Sequence, residues 1–236
     1  MKVNDDLAVI ELPMSFGAHT SILNVSLIFD PEQGVMLVDT GLPGQEKQIE
    51  EALAKDGASM ADLKRILLTH QDLDHVGSLA ALKQQTGATT MASEIETPYI
   101  QGELRGYKIP PPERLEQMPE FKRMLEAHRP THIDEQLQDG QRLDIAGGVK
   151  VVATPGHTPG HIGLYLERTK TLITGDALTS ENGTLKGPNP GATPDMETAM
   201  KSVKKLAELD VETIVCYHGG MVTENANDQL KRVAAG

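Results

Sequence analysis

The sequence contains no tryptophan, only three phenylalanines and four tyrosines, and a single cysteine among its 236 residues. So few aromatic rings argue against a surface on which the bases of a nucleic acid would stack. One cysteine excludes an internal disulfide and a zinc site built from several thiolates. Because Cys216 lies within the apolar run 213–216, we expect it to be a buried hydrophobic side chain.

Positive charge is also scarce. Lysine and arginine number 22 against 34 aspartates and glutamates, which leaves a formal net charge of −12. This balance disfavours a phosphate-backbone partner, so a small-molecule substrate is expected and a nucleic acid is not. No apolar run is long enough to span a bilayer, and the first residues lack the basic and apolar regions of an export signal. These absences predict a cytoplasmic protein with no membrane partner.

The apolar run 66–68 is followed closely by four side chains of the kinds that bind metals, namely His70, Asp72, Asp74 and His75. Their spacing does not fit one face of a helix, where neighbours lie three or four residues apart. On a loop between a strand and a helix, the same spacing lets the side chains converge. Four such groups would be costly to bring together without a cation, so the stretch predicts a metal site. The alternative is a solvated acidic loop with helix-capping aspartates and incidental histidines.

Three more side chains of this kind follow later apolar runs. His157, Asp176 and His218 each stand at or beside a glycine or proline. Glycine and proline mark turns and loops, so each residue is expected on a loop at the edge of a sheet. With the four residues of the first loop they make seven candidate ligands. Seven ligands suffice for two ions that keep open positions for water or substrate.

The order of the predicted elements indicates the architecture. Strands are predicted over 7–12, 22–29, 35–39 and 89–91, and again over 149–153, 162–166, 171–174 and 213–217. Helices are predicted over 45–56, 76–85, 195–209 and 224–234. Two blocks of strands followed by helices predict an α/β protein, a single domain over 1–236 folded as a four-layer αββα sandwich of two mixed sheets.

Residues 92–131 differ in character from both blocks. Six prolines interrupt this segment and leave short helical patterns at 93–101 and 120–127. Its tyrosines, phenylalanine, methionines and leucines are enough to form the apolar wall of a pocket. We interpret the segment as a helical cap over the site or as an arm that forms a homodimer.

Four motifs, taken in order, resemble those of the metallo-β-lactamase superfamily: Thr69-His70-Gln71-Asp72-Leu73-Asp74-His75, Pro155-Gly156-His157-Thr158-Pro159-Gly160-His161, Gly175-Asp176 and the late His218. The resemblance covers most of the chain, from an early Asp-Thr-Gly turn to the final His-Gly. It implies the fold of that superfamily. It also implies, as the default chemistry, hydrolysis by a hydroxide that two metal ions activate.

The resemblance divides the candidate ligands into two triads and one bridging carboxylate. These are His70, Asp72 and His157 for the first ion, Asp74, His75 and His218 for the second, and Asp176 between them. Asp74 would also be catalytic, because it can orient the hydroxide and later pass a proton to the leaving group. Asp39, at a strand end before a glycine, is either a turn former or a partner that orients a ligand histidine. His161 is placed near the site and outside the ligand set.

One ligand departs from the usual motif of the superfamily. The second ligand is normally a histidine, and here it is Asp72, which makes an HxDxDH variant. A carboxylate is a harder ligand and favours iron or manganese, compared with a site of three histidines. We expect two divalent ions per chain, with zinc as the first choice and iron or manganese as alternatives.

The substrate is left open among small esters, lactones and thioesters. Two enzyme classes of the superfamily are matched only in part. A glyoxalase II proper has a further helical domain that grips glutathione, which we do not expect here. The acyl-homoserine-lactone lactonases carry a tyrosine where this chain has Thr179. The alternative from another class is a diiron redox protein or sensor of the same fold. The flavodiiron branch has a glutamate at the position of Asp72, but it also needs a flavodoxin domain, which we do not expect in this protein.

Overall fold

The computed structural model describes residues 1–16 and 19–236. The first half of the chain forms a six-stranded sheet. Its strands, in sheet order, are β1 (Leu7–Phe16), β2 (His19–Asp30), β3 (Gly34–Val38), β4 (Leu63–Leu67), β5 (Thr89–Ser93) and β6 (Glu135–Leu137). The pairs from β1 to β3 are antiparallel and those from β3 to β6 are parallel, so the sheet is mixed.

The second half of the chain contains eight strands. They are β7 (Arg142–Leu143), β8 (Val149–Ala153), β9 (Ile162–Leu166), β10 (Thr171–Ile173), β11 (Thr179–Glu181), β12 (Thr184–Lys186), β13 (Thr213–Cys216) and β14 (Gly220–Val222). β11 and β12 form a separate hairpin, and the other six form a sheet in the order β14-β13-β10-β9-β8-β7. The β10–β13 pair is parallel and the remaining pairs are antiparallel, so this sheet is mixed as well.

Eight α-helices and a 3₁₀ turn at Met60–Asp62 are described. The helices are α1 (Glu46–Lys55), α2 (Leu73–Val76), α3 (Leu79–Thr86), α4 (Thr97–Ile100), α5 (Pro112–Leu115), α6 (Pro119–Ala127), α7 (Met196–Leu206) and α8 (Ala226–Ala235). The helix predicted over 76–85 is divided in the structure, because residue 76 ends α2 and α3 begins at residue 79. α3 ends at Gly87, whose φ of 66° is left-handed and favours glycine. Each helix among the described residues is too short or too polar to cross a bilayer.

The core consists of three apolar layers. Val9 of β1 and Leu164 of β9 belong to the layer between the two sheets. Ile10, one residue further along β1, lies in the layer between the first sheet and α1 and α3. Cys216 is fully buried in the third layer, between the second sheet and α7 and α8, as expected. Because successive strand residues point to opposite faces, both sheets are covered on both sides, and the predicted four-layer αββα sandwich is confirmed.

Residues 94–134, between β5 and β6, carry α4, α5 and α6 and are called the insert below. They overlap the excursion predicted over 92–131, although residues 92 and 93 belong to β5. The helix predicted over 93–101 is reduced to α4, because Pro98 stands in its first turn and Gly102 has a left-handed φ of 75°. A homodimer arm in this segment stays a prediction.

Candidate metal centre

The loop after β4 carries the first four candidate ligands. Its backbone is fixed on one side by the Leu68 amide, which donates to Met91 O, and then by the Thr69 amide, which donates to Asp39 Oδ1. Asp72 is extended (φ −65°, ψ 147°) and accepts at its carbonyl the first hydrogen bonds of α2. The chain therefore turns between His70 and His75, and side chains two to five residues apart come to lie on one side of the loop.

In the predicted first triad, the two histidines meet at one carboxylate oxygen of the aspartate. Asp72 Oδ2 lies 3.2 Å from His70 Nε2 and 3.1 Å from His157 Nε2. His157 comes from the loop that follows β8 in the second sheet. The three side chains form a group whose ligand atoms all lie within 4.8 Å of one another. His70 and His157 are buried, whereas Asp72 is 18% exposed at the cavity described below.

The predicted second triad forms a similar group. Asp74 Oδ2 lies 3.5 Å from His218 Nε2 and 3.9 Å from His75 Nε2, and the three also lie within 4.8 Å of one another. His218 follows β13, and the chain turns sharply behind it. Gly219 makes this turn possible, because a Cβ there would stand 1.7 Å from Ser180 O.

Asp176, after β10, lies between the two groups. Its Oδ1 is 3.3 Å from His75 Nε2, and its Oδ2 is 3.2 Å from His157 Nε2 and 3.3 Å from His218 Nε2. One carboxylate thus faces histidines of both triads, which is the arrangement that a bridging ligand requires. The structure brings all seven candidate ligands together, and their binding of metal stays a prediction.

Unpartnered polar atoms test whether these residues suit metal ions. His70 Nε2, His75 Nε2 and Asp176 Oδ1 are buried, and none of them forms a well-directed hydrogen bond within the described part of the chain, although groups of opposite charge lie 3.2 to 3.3 Å away. Buried polar atoms are normally hydrogen-bonded, and leaving one unsatisfied is costly. The same three residues form a further group within 4.8 Å. Imidazole nitrogens and carboxylate oxygens that converge in this way fit divalent cations such as zinc or iron.

The charge on Asp72 is set by competing effects. Burial alone would raise the pKa of this carboxyl. The charges of His70 and Lys108 and a hydrogen bond with His157 outweigh burial and hold the pKa well below its ordinary value. Asp72 is therefore ionised at neutral pH.

Asp176 and His218 show the complementary pattern. Burial opposes the ionisation of Asp176, but His75 and His218 hold its pKa well below the ordinary value. Burial also opposes the charged form of His218, yet Asp176 and Asp74 raise its pKa to about 10. Without metal, the ring protons of these histidines thus neutralise the carboxylates, and a cation that binds here would take over that role.

Asp39 contacts the outer nitrogen of a candidate ligand. Its Oδ2 lies 2.9 Å from His75 Nδ1, and its two oxygens also accept from the Thr69 hydroxyl and amide. A left-handed φ of 64°, which aspartate tolerates better than most residues, turns the side chain inward. This contact leaves His75 Nε2 facing Asp176 and Asp74, as an orienting partner would.

Asp39→Asn is expected to weaken zinc affinity by roughly 10- to 100-fold, the usual effect of losing a partner that orients a ligand histidine. The amide would present donors to the Thr69 amide or to His75 Nδ1 instead of an acceptor. Competition with a chromophoric zinc chelator measures the change. Asp134→Asn is a matched control, because Asp134 accepts from the Thr90 amide and hydroxyl in the same way but lies at the insert. Equal zinc affinity of the two variants would contradict the orienting role.

His161 supports the bridging carboxylate from behind. It is fully buried, and its Nε2 accepts from the Asp176 backbone amide at 3.0 Å. The ring proton must then be on Nδ1, which lies 2.7 Å from the Thr154 hydroxyl. Burial, with the neighbouring His70 and His157, holds the pKa of His161 well below its ordinary value. A neutral imidazole therefore fixes the loop that carries Asp176.

Sequence reasoning missed a buried carboxylate that ties the two ligand loops together. Glu96 is fully buried and accepts from both the amide and the side chain of Gln71, at 3.0 and 2.9 Å. Its other oxygen accepts from the Gly160 amide at 2.8 Å. Glu96 thus joins the loop of His70 to the loop of His157. No signal in the sequence identifies it, since it lies at the start of the insert, far from either motif.

Tyr217 is a second residue that sequence reasoning missed. Its ring stacks on His75 with centroids 3.8 Å apart, and its hydroxyl donates to Asp74 O at 2.5 Å. Tyr217, which precedes the candidate ligand His218, therefore holds the candidate ligands His75 and Asp74 in place. Adjacency to His218 was a usable signal, because both residues directly follow the end of β13.

A cavity of about 510 Å³ opens beside the candidate metal centre. Asp72 and Asp74 line its inner end, and the insert supplies much of the rest. The apolar lining from the insert comprises Tyr99, Tyr107, Ile109, Pro110, Met118, Phe121 and Leu125. The insert therefore forms one wall of this cavity, and the carboxylates of both triads face it.

The sequence model of the metallo-β-lactamase superfamily matches residues 21–218. The chain belongs to the metallo-β-lactamase superfamily. A probable metallo-hydrolase of Bacillus subtilis, YflN, is 31% identical over 92% of this chain and 89% of its own. The hydroxyacylglutathione hydrolase GloC of Haemophilus influenzae is 30% identical over 85% of this chain and 87% of its own.

Solved structures of the superfamily share the fold. A metallo-β-lactamase family protein from Thermus thermophilus superposes with a TM-score of 0.76 and 26% identity, over 99% of this chain and 80% of its own. A metallo-β-lactamase from Pontibacter korlensis superposes with a TM-score of 0.75 over 100% and 98%. At 14% identity the second shows the fold alone. Membership makes this chain a metallo-hydrolase by family, with histidines and aspartates that could hold metal ions.

Proposed function

We propose that this protein is a dinuclear metal-dependent hydrolase that cleaves an ester, lactone or thioester bond of a small substrate. One observation carries the proposal. Two triads of ligand-type side chains share Asp176, their ligand atoms lie within 4.8 Å of one another in each triad, and both open on one cavity. His70, Asp72 and His157 would hold the first ion, and Asp74, His75 and His218 the second. Zinc is the first choice, and Asp72 keeps iron and manganese as alternatives.

Two bound divalent ions would lower the pKa of a shared water and polarise a carbonyl. The residues of the chain supply the rest. Asp74, 23% exposed at the cavity, would orient the attacking water, take up its proton and give a proton to the leaving group. Asp39 and His161 would hold His75 and Asp176 in the required orientation.

The choice of an acyl bond rests on the lining of the cavity and on relatives. A mostly apolar wall with carboxylates at one end suits a small acyl compound. GloC, which matches most of this chain, is named for the hydrolysis of a hydroxyacyl thioester of glutathione. The lactonases carry a tyrosine where this chain has Thr179, which lies in β11 and donates a hydrogen bond to Gly187 O at 3.1 Å.

A panel of aryl esters, lactones and thioesters, assayed with apoprotein to which zinc, manganese or iron is returned, tests the proposal. We expect metal-dependent turnover of at least one class. The carboxylate at position 72 favours an iron-containing redox protein or sensor as the second candidate. No turnover with any metal, together with a reversible spectral change of the iron form under oxygen, would replace the hydrolase by that candidate.

A further inference from the structure

Lys108 brings an ammonium group from the insert to the candidate metal centre. Its Nζ contacts Asp72 Oδ2, lies 2.6 Å from His157 Nε2 and is 3.3 Å from Ala192 O, to which it donates. The side chain is 22% exposed and lines the cavity. Lys108 is the one lysine or arginine among the described residues of that lining. The Lys108 side chain therefore ends at the inner end of the cavity, beside two candidate ligands.

The backbone at Lys108 is tied to the ligand loop. The Tyr107 amide donates to Gln71 Oε1 at 2.6 Å, and the amide groups of Gln71 in turn donate to Glu96. Gln71 stands between His70 and Asp72 in the sequence. The same hydrogen-bonded group thus positions both the ligand loop and the residue that precedes Lys108. The fold therefore positions Lys108 through its backbone, by way of the Tyr107 amide, and through the contacts of its Nζ.

The departure at position 72 gives this ammonium its partner. His157 Nε2 has one lone pair, so an ion bound there would displace Lys108 from that nitrogen. A carboxylate has two oxygens with about four acceptor positions, so Asp72 can contact an ion and Lys108 together. A histidine, the usual residue of the superfamily there, would offer only an N–H donor once its other nitrogen was bound to metal. It could not accept from Lys108. Asp72 and Lys108 are therefore a pair in which the aspartate holds the ammonium at the reacting centre.

We propose that Lys108 is a catalytic residue that stabilises negative charge on the carbonyl oxygen of the substrate, with Asp72 as its positioning residue. This inference rests on the proposed hydrolase function. Attack of the water oxygen on the acyl carbon moves the carbonyl π pair onto oxygen, where the ammonium donates a hydrogen bond. When that pair returns, the bond to the leaving group breaks. The proton lost by water passes through Asp74 to the leaving group, so an acid and an alcohol or thiol result.

Lys108→Met tests the proposal, with the best substrate of the panel. Removing one donor to a developing oxyanion costs roughly 10²- to 10³-fold in kcat, so we expect a loss of that size with little change in KM. Zinc content and zinc affinity should not fall. Lys122→Met is the control, because Lys122 lies in the insert but pairs with Glu116 and does not line the cavity.

A double-mutant cycle with Asp72→His tests the pairing. In the Asp72→His background, Lys108→Met should change kcat by less than about threefold, because the ammonium has already lost its partner. An unchanged kcat of Lys108→Met with tighter zinc binding would overturn the proposal and leave Lys108 as a counter-ion that metal displaces. A raised KM alone would overturn it as well. A wild-type protein without turnover would defeat the hydrolase function itself, whereas turnover in both wild type and Lys108→Met would defeat only the role of Lys108.

Discussion

Asp74→Asn is expected to lower kcat by roughly 10²- to 10⁴-fold, the range that general acid–base groups contribute. Asp74 is the carboxylate of the second triad that faces the cavity, with its Oδ2 3.5 Å from His218 Nε2. Burial opposes its ionisation, but His75 and His218 hold its pKa below the ordinary value, so it is available as a base at neutral pH. Asparagine keeps the shape and one acceptor oxygen but takes up no proton.

The fold should survive this change, because the Asp74 backbone carbonyl, which accepts from the Tyr217 hydroxyl, is not altered. Kinetics at saturating zinc, together with the zinc content of each sample, separate lost proton transfer from lost metal. Asp144→Asn is the control, since the Asp144 side chain is 95% exposed. A kcat near that of the wild type at equal zinc content would refute the proton-transfer role of Asp74.

Asp176→Asn is expected to reduce the zinc content from about two ions per chain to one or fewer. Asp176 is the residue whose two oxygens face histidines of both triads, at 3.2 to 3.3 Å. An amide offers one weak oxygen ligand instead of two anionic ones. Elemental analysis after dialysis against trace zinc measures the effect, and two ions retained in the variant would exclude the bridging role.

Stability should follow metal content in the same experiment. Free zinc at about 1,000 times its dissociation constant stabilises a folded protein by roughly 4 kcal/mol, because the ion binds the native state. Chelation should therefore lower the Tm of the wild type clearly, and zinc should restore it. Asp176→Asn should show a much smaller shift on adding zinc, while Asp144→Asn should behave as the wild type. A chelator-insensitive Tm of the wild type, at proven metal loss, would contradict this coupling.

Most long strands of the fold could be predicted, and most of the short ones could not. β8 and β9 have the predicted bounds, because a strand that is buried on both faces is a mostly apolar run. β6, β7, β11 and β12 have only two or three residues each. Runs of that length carry no readable periodicity, and pairing with neighbours decides them. The helix predicted over 76–85 was wrong in its start for a similar reason, since a hydrogen bond from the Gly77 amide to Gly41 O interrupts it.

The candidate ligands were accessible to sequence reasoning because each follows an apolar strand and belongs to a compact motif. The loop from His70 to His75 concentrates four of them in six residues, so local composition is enough to draw attention to it. The partners of those ligands were not accessible. Glu96 meets Gln71 and Gly160 from the start of the insert, and only the path of the chain brings them together.

Asp72 shows where the two sources of information divide. By itself the sequence determined the four layers and the superfamily and predicted the seven candidate ligands, because strand burial and ligand chemistry leave local patterns. It also marked Asp72 as a departure from the usual histidine of the superfamily, and the predicted consequence was a change in metal preference. Only the tertiary structure decided what faces that carboxylate: the insert folds back over the ligand loop and brings the Lys108 ammonium onto it. A contact between residues 36 positions apart depends on the turns of the insert and its hydrogen bond to Gln71, and no local pattern encodes that path.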